Sequence, residues 1–262
     1  MKKFIGTVTV LLFCSYTAFA ADKLDFTLHK LESGQPGNTL LVVGGIQGDE
    51  PGGFNAAALI VTHYRITKGS VWVVPNLNFI SIIKRSRGVF GDLNRKFLAI
   101  PPSDPEYTTI QKIKEIILNQ QVDLVLNLHD GSGFYRPQYI DGLHNPRRWG
   151  QTVIIDQKRI DHPQFGNLEN IAGRVVAGMN EHLFSEEHVC HVKDTETCLV
   201  GDAEMEKALT YFVVRNRKPA FGIETSKEFS SDQRSYYHLR AIESFMQVMG
   251  IEFERQFQLT ME

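Results

Sequence analysis

Three short polar clusters in this 262-residue chain hold the side chains best suited to chemistry. They are Gly44-Gly45-Ile46-Gln47-Gly48-Asp49-Glu50, then Asn127-Leu128-His129-Asp130-Gly131, then Ile223-Glu224-Thr225-Ser226. Each follows an apolar run, so each falls where a strand should end. Function in open α/β sheets collects at the carboxyl ends of strands. Two glycine-rich turns with polar side chains at such ends make a generic active site. Glu224 follows Phe221, Gly222 and Ile223, and a carboxyl in such apolar surroundings has a raised pKa, as suits a group that takes up and returns a proton. The alternative is a buried structural acid paired with a cation such as Lys227. Asp130 is either a partner of His129 or a turn residue. The basic stretch from Arg85 to Lys96 reads, on composition, as a solvated loop.

The elements that must position these clusters follow from periodicity. Thr39–Val43, Val71–Pro75, Asp123–Leu128, Thr152–Ile155 and Pro219–Thr225 are apolar, β-rich runs and read as buried strands. Residues 53–65, after Pro51-Gly52, favour a helix. Ile110, Ile113, Ile116 and Ile117 recur at helical spacing in residues 104–119, and 167–183 and 235–249 are two further helices. Met179, Met246 and Met249 fall on helix stripes and read as core. Residues 76–97 read as loop. Strands alternating with helices predict an α/β fold, with a mixed, largely parallel central sheet between helical layers. With no repeat and no linker, it reads as one domain.

The first cluster resembles the metal-binding turn G-G-x-H-G-x-E of the zinc carboxypeptidases and their relatives, the succinylglutamate desuccinylases and aspartoacylases. Asp92-Leu93-Asn94-Arg95 resembles the D-L-N-R of that superfamily, and Arg87 stands seven residues before Asn94. The likeness covers residues 39–97 closely, then 123–131 and 219–226, in order. One position departs from it, since Gln47 stands where the superfamily has His. A Gln-Glu-His set resembles the peptidoglycan D,L-carboxypeptidases that set helical cell shape, which carry a Q-G-D-E turn of this kind. Those enzymes are longer, with further C-terminal domains, and this chain is close in size to the catalytic domain alone.

The resemblance implies a Zn2+ site of Gln47, Glu50 and His129, with a fourth position for water. An amide oxygen is a poorer zinc ligand than imidazole, so affinity should be lower. It implies Glu224 as general base and Arg87 as oxyanion stabiliser, a role Arg85 could exchange with it. Asn94 and Arg95 would bind the terminal carboxylate of the substrate, the pairing that makes an exopeptidase. The expected activity is that of a zinc D,L-carboxypeptidase trimming a diaminopimelate-type residue from peptidoglycan stem tripeptides. A murein amidase or deacylase of the same superfamily, or a zinc-free murein-binding protein, are the alternatives.

The opening residues, MKKFIGTVTVLLFCSYTAFA, have the positive start, short apolar stretch and Ala18-Phe19-Ala20 ending of an export signal cleaved after Ala20. That leaves 21–262 as the catalytic domain of a periplasmic or secreted protein with no stable membrane insertion. Cleavage removes Lys2 and Lys3 and no acid, so the mature chain is more acidic than the formal net charge of −2. No basic excess exists, which argues against a dedicated nucleic-acid binder. Cleavage also removes Cys14 and leaves Cys190 and Cys198, which in an exported protein are expected to staple a loop.

Overall fold

A computed structural model describes residues 25–260. The expected export signal and its cleavage point lie outside these residues. In chain order the elements are β1 (His29–Glu32), β2 (Thr39–Val43), α1 (Pro51–His63), β3 (Tyr64–Lys68), β4 (Ser70–Val74), α2 (Phe79–Lys84), α3 (Tyr107–Leu118) and β5 (Leu124–Gly131). They continue with β6 (Phe134–Tyr135), β7 (His144–Asn145), β8 (Thr152–Ile155), α4 (Leu168–Asn180), β9 (His191–Asp194), α5 (Thr197–Val200), α6 (Leu209–Arg215), β10 (Ala220–Ser226), α7 (Ser231–Val248) and β11 (Glu252–Arg255).

Seven strands form one sheet in the order β1-β4-β2-β5-β10-β8-β9. The pairs β4–β2, β2–β5, β5–β10 and β8–β9 are parallel, while β1–β4 and β10–β8 are antiparallel. The mixed, largely parallel sheet expected from the sequence is present. Both faces of its central strands are covered: every residue of β2 and β5 is buried, the polar Asn127, His129 and Asp130 of β5 included. On one face α1 packs against β5, α7 against β10 and α4 against β8. On the other, α6 packs against β5 and β10, with α3 beside it, Lys114 Nζ lying 4.8 Å from the centre of the Phe212 ring. Met179, Met246 and Met249 are all buried. Among the described residues no helix is long and apolar enough to cross a membrane.

Three local expectations change. Residues 76–97 are not only loop: α2 forms there, its Asn78 side chain capping Ser81 N, and a 3-10 turn at Leu93–Arg95 is capped by Asp92. The predicted helix from 53 to 65 ends at His63, because Tyr64 and Arg65 pair with β11. The expected disulfide is absent. Cys190 is buried, Cys198 is exposed, and both are free thiols. The extended strand β9 lies between them. At roughly 3.3 Å per residue that strand alone runs on the order of 13 Å; Cys190 lies beside the start of β8, while Thr197 N bonds Asp156 O past its end, and a bridge needs Cα atoms within about 7 Å.

Candidate active site

Each predicted residue is delivered by a strand end or the turn after it. β2 runs out at Gly44-Gly45, where Gly45 takes φ +68° in the left-handed region that favours glycine. This turn presents Gln47. Glu50 follows at the N-cap of α1 but makes no capping hydrogen bond with its side chain. Its carboxylate crosses instead to β5, accepting from Asp130 N at 3.1 Å and lying 2.9 Å from His129 Nδ1. The same Nδ1 is 3.1 Å from Gln47 Oε1. Gln47 is held in that orientation because its Nε2 donates to Asp92 Oδ1 at 2.8 Å.

Register brings in the glutamate. β10 pairs in parallel with β5 so that Glu224 is opposite His129 and Thr225 opposite Asp130. Paired residues of a parallel sheet share a face, so His129 and Glu224 enter the cleft while Asp130 and Thr225 face the α1–α7 layer. There Asp130 accepts from Gly52 N, Thr225 Oγ1 and Arg234 Nη1, and lies 3.1 Å from His238 Nε2. Asp130 is therefore no mere turn residue: it ties β5, β10, α1 and α7 together behind the site.

The cleft has a volume of about 270 Å³, and its lining includes Gln47, Glu50, Arg87, Asn94, Arg95, His129 and Glu224. All seven residues expected from the sequence thus meet in one place. Arg87 donates through Nε to Asp92 at 3.0 Å and through Nη1 to Glu50 at 3.4 Å, whereas Arg85 ends α2 and is not part of the lining. Asn94 is buried, its Oδ1 accepting from Leu209 N at 3.0 Å. Arg95 is half-buried and reaches Glu204 at 3.7 Å. Lys227 pairs with Glu50 Oε1 at 3.2 Å, so the cation proposed as a structural partner for Glu224 serves a different acid.

Burial raises the Glu224 carboxyl to about 7; His129 and Lys227 lower it, and the nearby Glu50 and Asp130 carboxylates raise it. Burial opposes a charged His129 ring, but the hydrogen bond and charge of Glu50 prevail and raise its pKa. Asp92 is lowered against the effect of its own burial by the Gln47 hydrogen bond and by Arg87 and Arg95. Gly131 matters here because a Cβ in its place would come within 2.7 Å of Glu224 Oε2 and 2.6 Å of Trp149 Cβ. Only hydrogen leaves room for a reacting group beside the glutamate.

Among the described residues no group of three or more His, Cys, Asp or Glu gathers to hold a metal. Gln47 is the reason, since it supplies one of the three converging donors as an amide oxygen. The donor set nevertheless fits a divalent cation. Two oxygens lie within 3.1 Å of one imidazole nitrogen, close to the roughly 3.4 Å edge of a tetrahedron with zinc–ligand bonds of about 2.1 Å.

Sequence reasoning missed the walls of the cleft. Trp149, Ile154, Met205 and Thr210 line it, and they come from segments with no chemical motif. Asn127 carries no motif of its own, although its place two residues before His129 on a strand puts both on one face.

The sheet order and the position of the cleft together define a zinc carboxypeptidase-like fold. A succinylglutamate desuccinylase/aspartoacylase structure from Rhodobacter sphaeroides shares that fold at 17% identity and TM-score 0.60, over 86% of this chain and 58% of that one. The chain belongs to the family described as the catalytic part of the carboxypeptidase controlling helical cell shape, which it matches over residues 1–262. Product-bound cell shape determinant protein Csd4 from Helicobacter pylori is similar at 44% identity and TM-score 0.88, over 90% of this chain and 58% of that one. The mDAP-bound form of the same D,L-carboxypeptidase matches at 44% identity and TM-score 0.86, over 88% and 57%. The chain therefore spans somewhat over half the length of those structures. No curated protein sequence matches it.

Proposed function

We propose that this chain is a periplasmic zinc D,L-carboxypeptidase that removes the terminal diaminopimelate-type residue from peptidoglycan stem tripeptides. The observation that carries the reading is the approach of Gln47 Oε1 and Glu50 Oε2 to His129 Nδ1, at 3.1 and 2.9 Å, in a cleft that Glu224 also lines. The similar Helicobacter protein is a D,L-carboxypeptidase with mDAP- and tripeptide-bound forms, which supports the substrate. The export signal read at residues 1–20 supports the compartment.

Gln47, Glu50 and His129 would hold the zinc, which when bound polarises the scissile carbonyl and lowers the pKa of water to roughly 7. Glu224 takes a proton from the attacking water and returns it to the leaving amine. A carboxyl near 7 is matched to both transfers at neutral pH. Arg87 presents a cation to the oxygen that gains charge as the carbonyl becomes tetrahedral. Arg95, with a planar fork that fits a carboxylate, and Asn94 fix the free C-terminus of the substrate. Asp92 aims the Gln47 oxygen by accepting from its nitrogen.

The carboxylate requirement gives the test. Purified protein should take up about one equivalent of zinc and cleave a stem tripeptide with a free C-terminal carboxylate. The same tripeptide amidated at that carboxyl should resist. Equal cleavage of both would refute an exopeptidase, and less than about a tenth of an equivalent of divalent metal after zinc soaking would refute the metal site.

A further inference from the structure

Asn127 leaves β5 on the same face as His129 and is buried beside it. Its Nδ2 lies 2.8 Å from His129 Nε2 and makes a long contact of 3.5 Å with Asn94 Oδ1. Its Oδ1 is buried and has no hydrogen-bond partner among the described residues. Buried polar atoms are nearly always paired, so an orphan oxygen at this place asks for a reason. Turning the amide by half a revolution would exchange the two ends and leave the nitrogen unpaired instead. The contact with Nε2 therefore decides which way the amide points.

That contact depends on where the imidazole carries its proton. His129 Nδ1 faces Glu50 and Gln47 at 2.9 and 3.1 Å, so it is the nitrogen that a metal held by this set would use. A neutral imidazole giving up its Nδ1 lone pair keeps its proton on Nε2 and needs an acceptor there. Asn94 cannot supply one: its Oδ1 is taken by Leu209 N, and the end it turns to Nε2, at 3.4 Å, is Nδ2.

We propose that Asn127 is a positioning residue whose amide oxygen accepts the His129 Nε2 proton, fixing the ring tautomer that leaves Nδ1 free to bind metal. In the neutral ring without metal the amide nitrogen donates to Nε2 and the ring proton sits on Nδ1, facing Glu50. An amide serves both states from one position, which neither a carboxylate nor an apolar side chain can do. The proposal rests on the zinc site of the proposed function.

Zinc affinity from chelator competition, measured on wild type, Asn127→Leu and Asn127→Asp, gives the test. The leucine variant is expected to bind zinc about 10–100-fold more weakly, the usual range for losing such a partner. The aspartate variant, which can only accept, should match or exceed wild type. Long-range 1H–15N correlation spectra of zinc-loaded wild type should show His129 protonated on Nε2. Wild-type affinity in the leucine variant, equal weakening in both variants, or a proton on Nδ1 in the loaded protein would each overturn the proposal. Failure of wild type to bind zinc would overturn the zinc reading itself, and this proposal with it.

Discussion

Replacing Asp130 by asparagine removes one negative charge and almost no volume from the junction behind the cleft. Asp130 is fully buried with Arg234 and His238 beside it. Burial alone would raise its carboxyl, but the His238 hydrogen bond and charge, helped by Gly52 N and Thr225, hold it at about 2 against an ordinary value of 3.8. A depressed folded-state pKa stabilises the fold above the unfolded-state value, and that contribution is lost as pH falls from about 3.8 through about 2. At 1.36 kcal/mol per pH unit the gap is worth about 2 kcal/mol. Asparagine mimics the neutral form and leaves Arg234 without its counter-charge, so the loss at pH 7 should be about 2–3 kcal/mol. Urea denaturation followed by circular dichroism should then show the midpoint lowered by about 1 M at pH 7. The difference from wild type should shrink as pH drops below 3.8. An unchanged midpoint at pH 7, or a deficit that persists undiminished in acid, would refute the reasoning.

Other perturbations probe the cleft directly. Glu224→Gln should keep zinc, by metal analysis, and lose turnover by about 10³-fold or more; retained activity would remove Glu224 from the mechanism. Because the free carboxyl sits near 7 and the base must be ionised, kcat/KM of wild type should fall about tenfold per pH unit below that value, in a pH–rate profile. Gln47→His places a better ligand at the same spot and should tighten zinc by about tenfold or more while keeping part of the activity; loss of metal would show that position 47 is no ligand. Thiol titration of the mature protein should count two free thiols, with Cys198 reacting first. Cys190 should react only on unfolding, because burial raises its thiol to about 12.

The sheet was legible because β2, β5, β8 and β10 are short apolar runs closed by glycine or polar residues, and a strand buried on both faces reads that way. The site residues were legible for a related reason: strand ends and the turns after them carry local motifs such as Gln47-Gly48-Asp49-Glu50. Helix α2 was hidden because six residues, Phe79-Ile80-Ser81-Ile82-Ile83-Lys84, are too few to tell a helical period from a short apolar run. The cleft wall at Met205 and Thr210 was illegible because the turn before α6 and the start of α6 reach the cleft through the packing of α6 on β5 and β10, a long-range event with no local signature. Spacing in Cys190–Cys198 misled, since the seven residues between them look like a loop until four are seen to be extended. Lys227 sits close enough in sequence to Glu224 to suggest a pair, yet its ammonium reaches Glu50.

On the proposed function, this cleft cuts the last amide bond of a stem tripeptide. Digestion of purified muropeptide tripeptide monomers by the zinc-loaded protein, followed by mass spectrometry, tests it most directly. Each product should be lighter than its substrate by one diaminopimelate residue, with free diaminopimelate released. Release of the intact tripeptide from its sugar, or no change in mass with zinc bound, would contradict it.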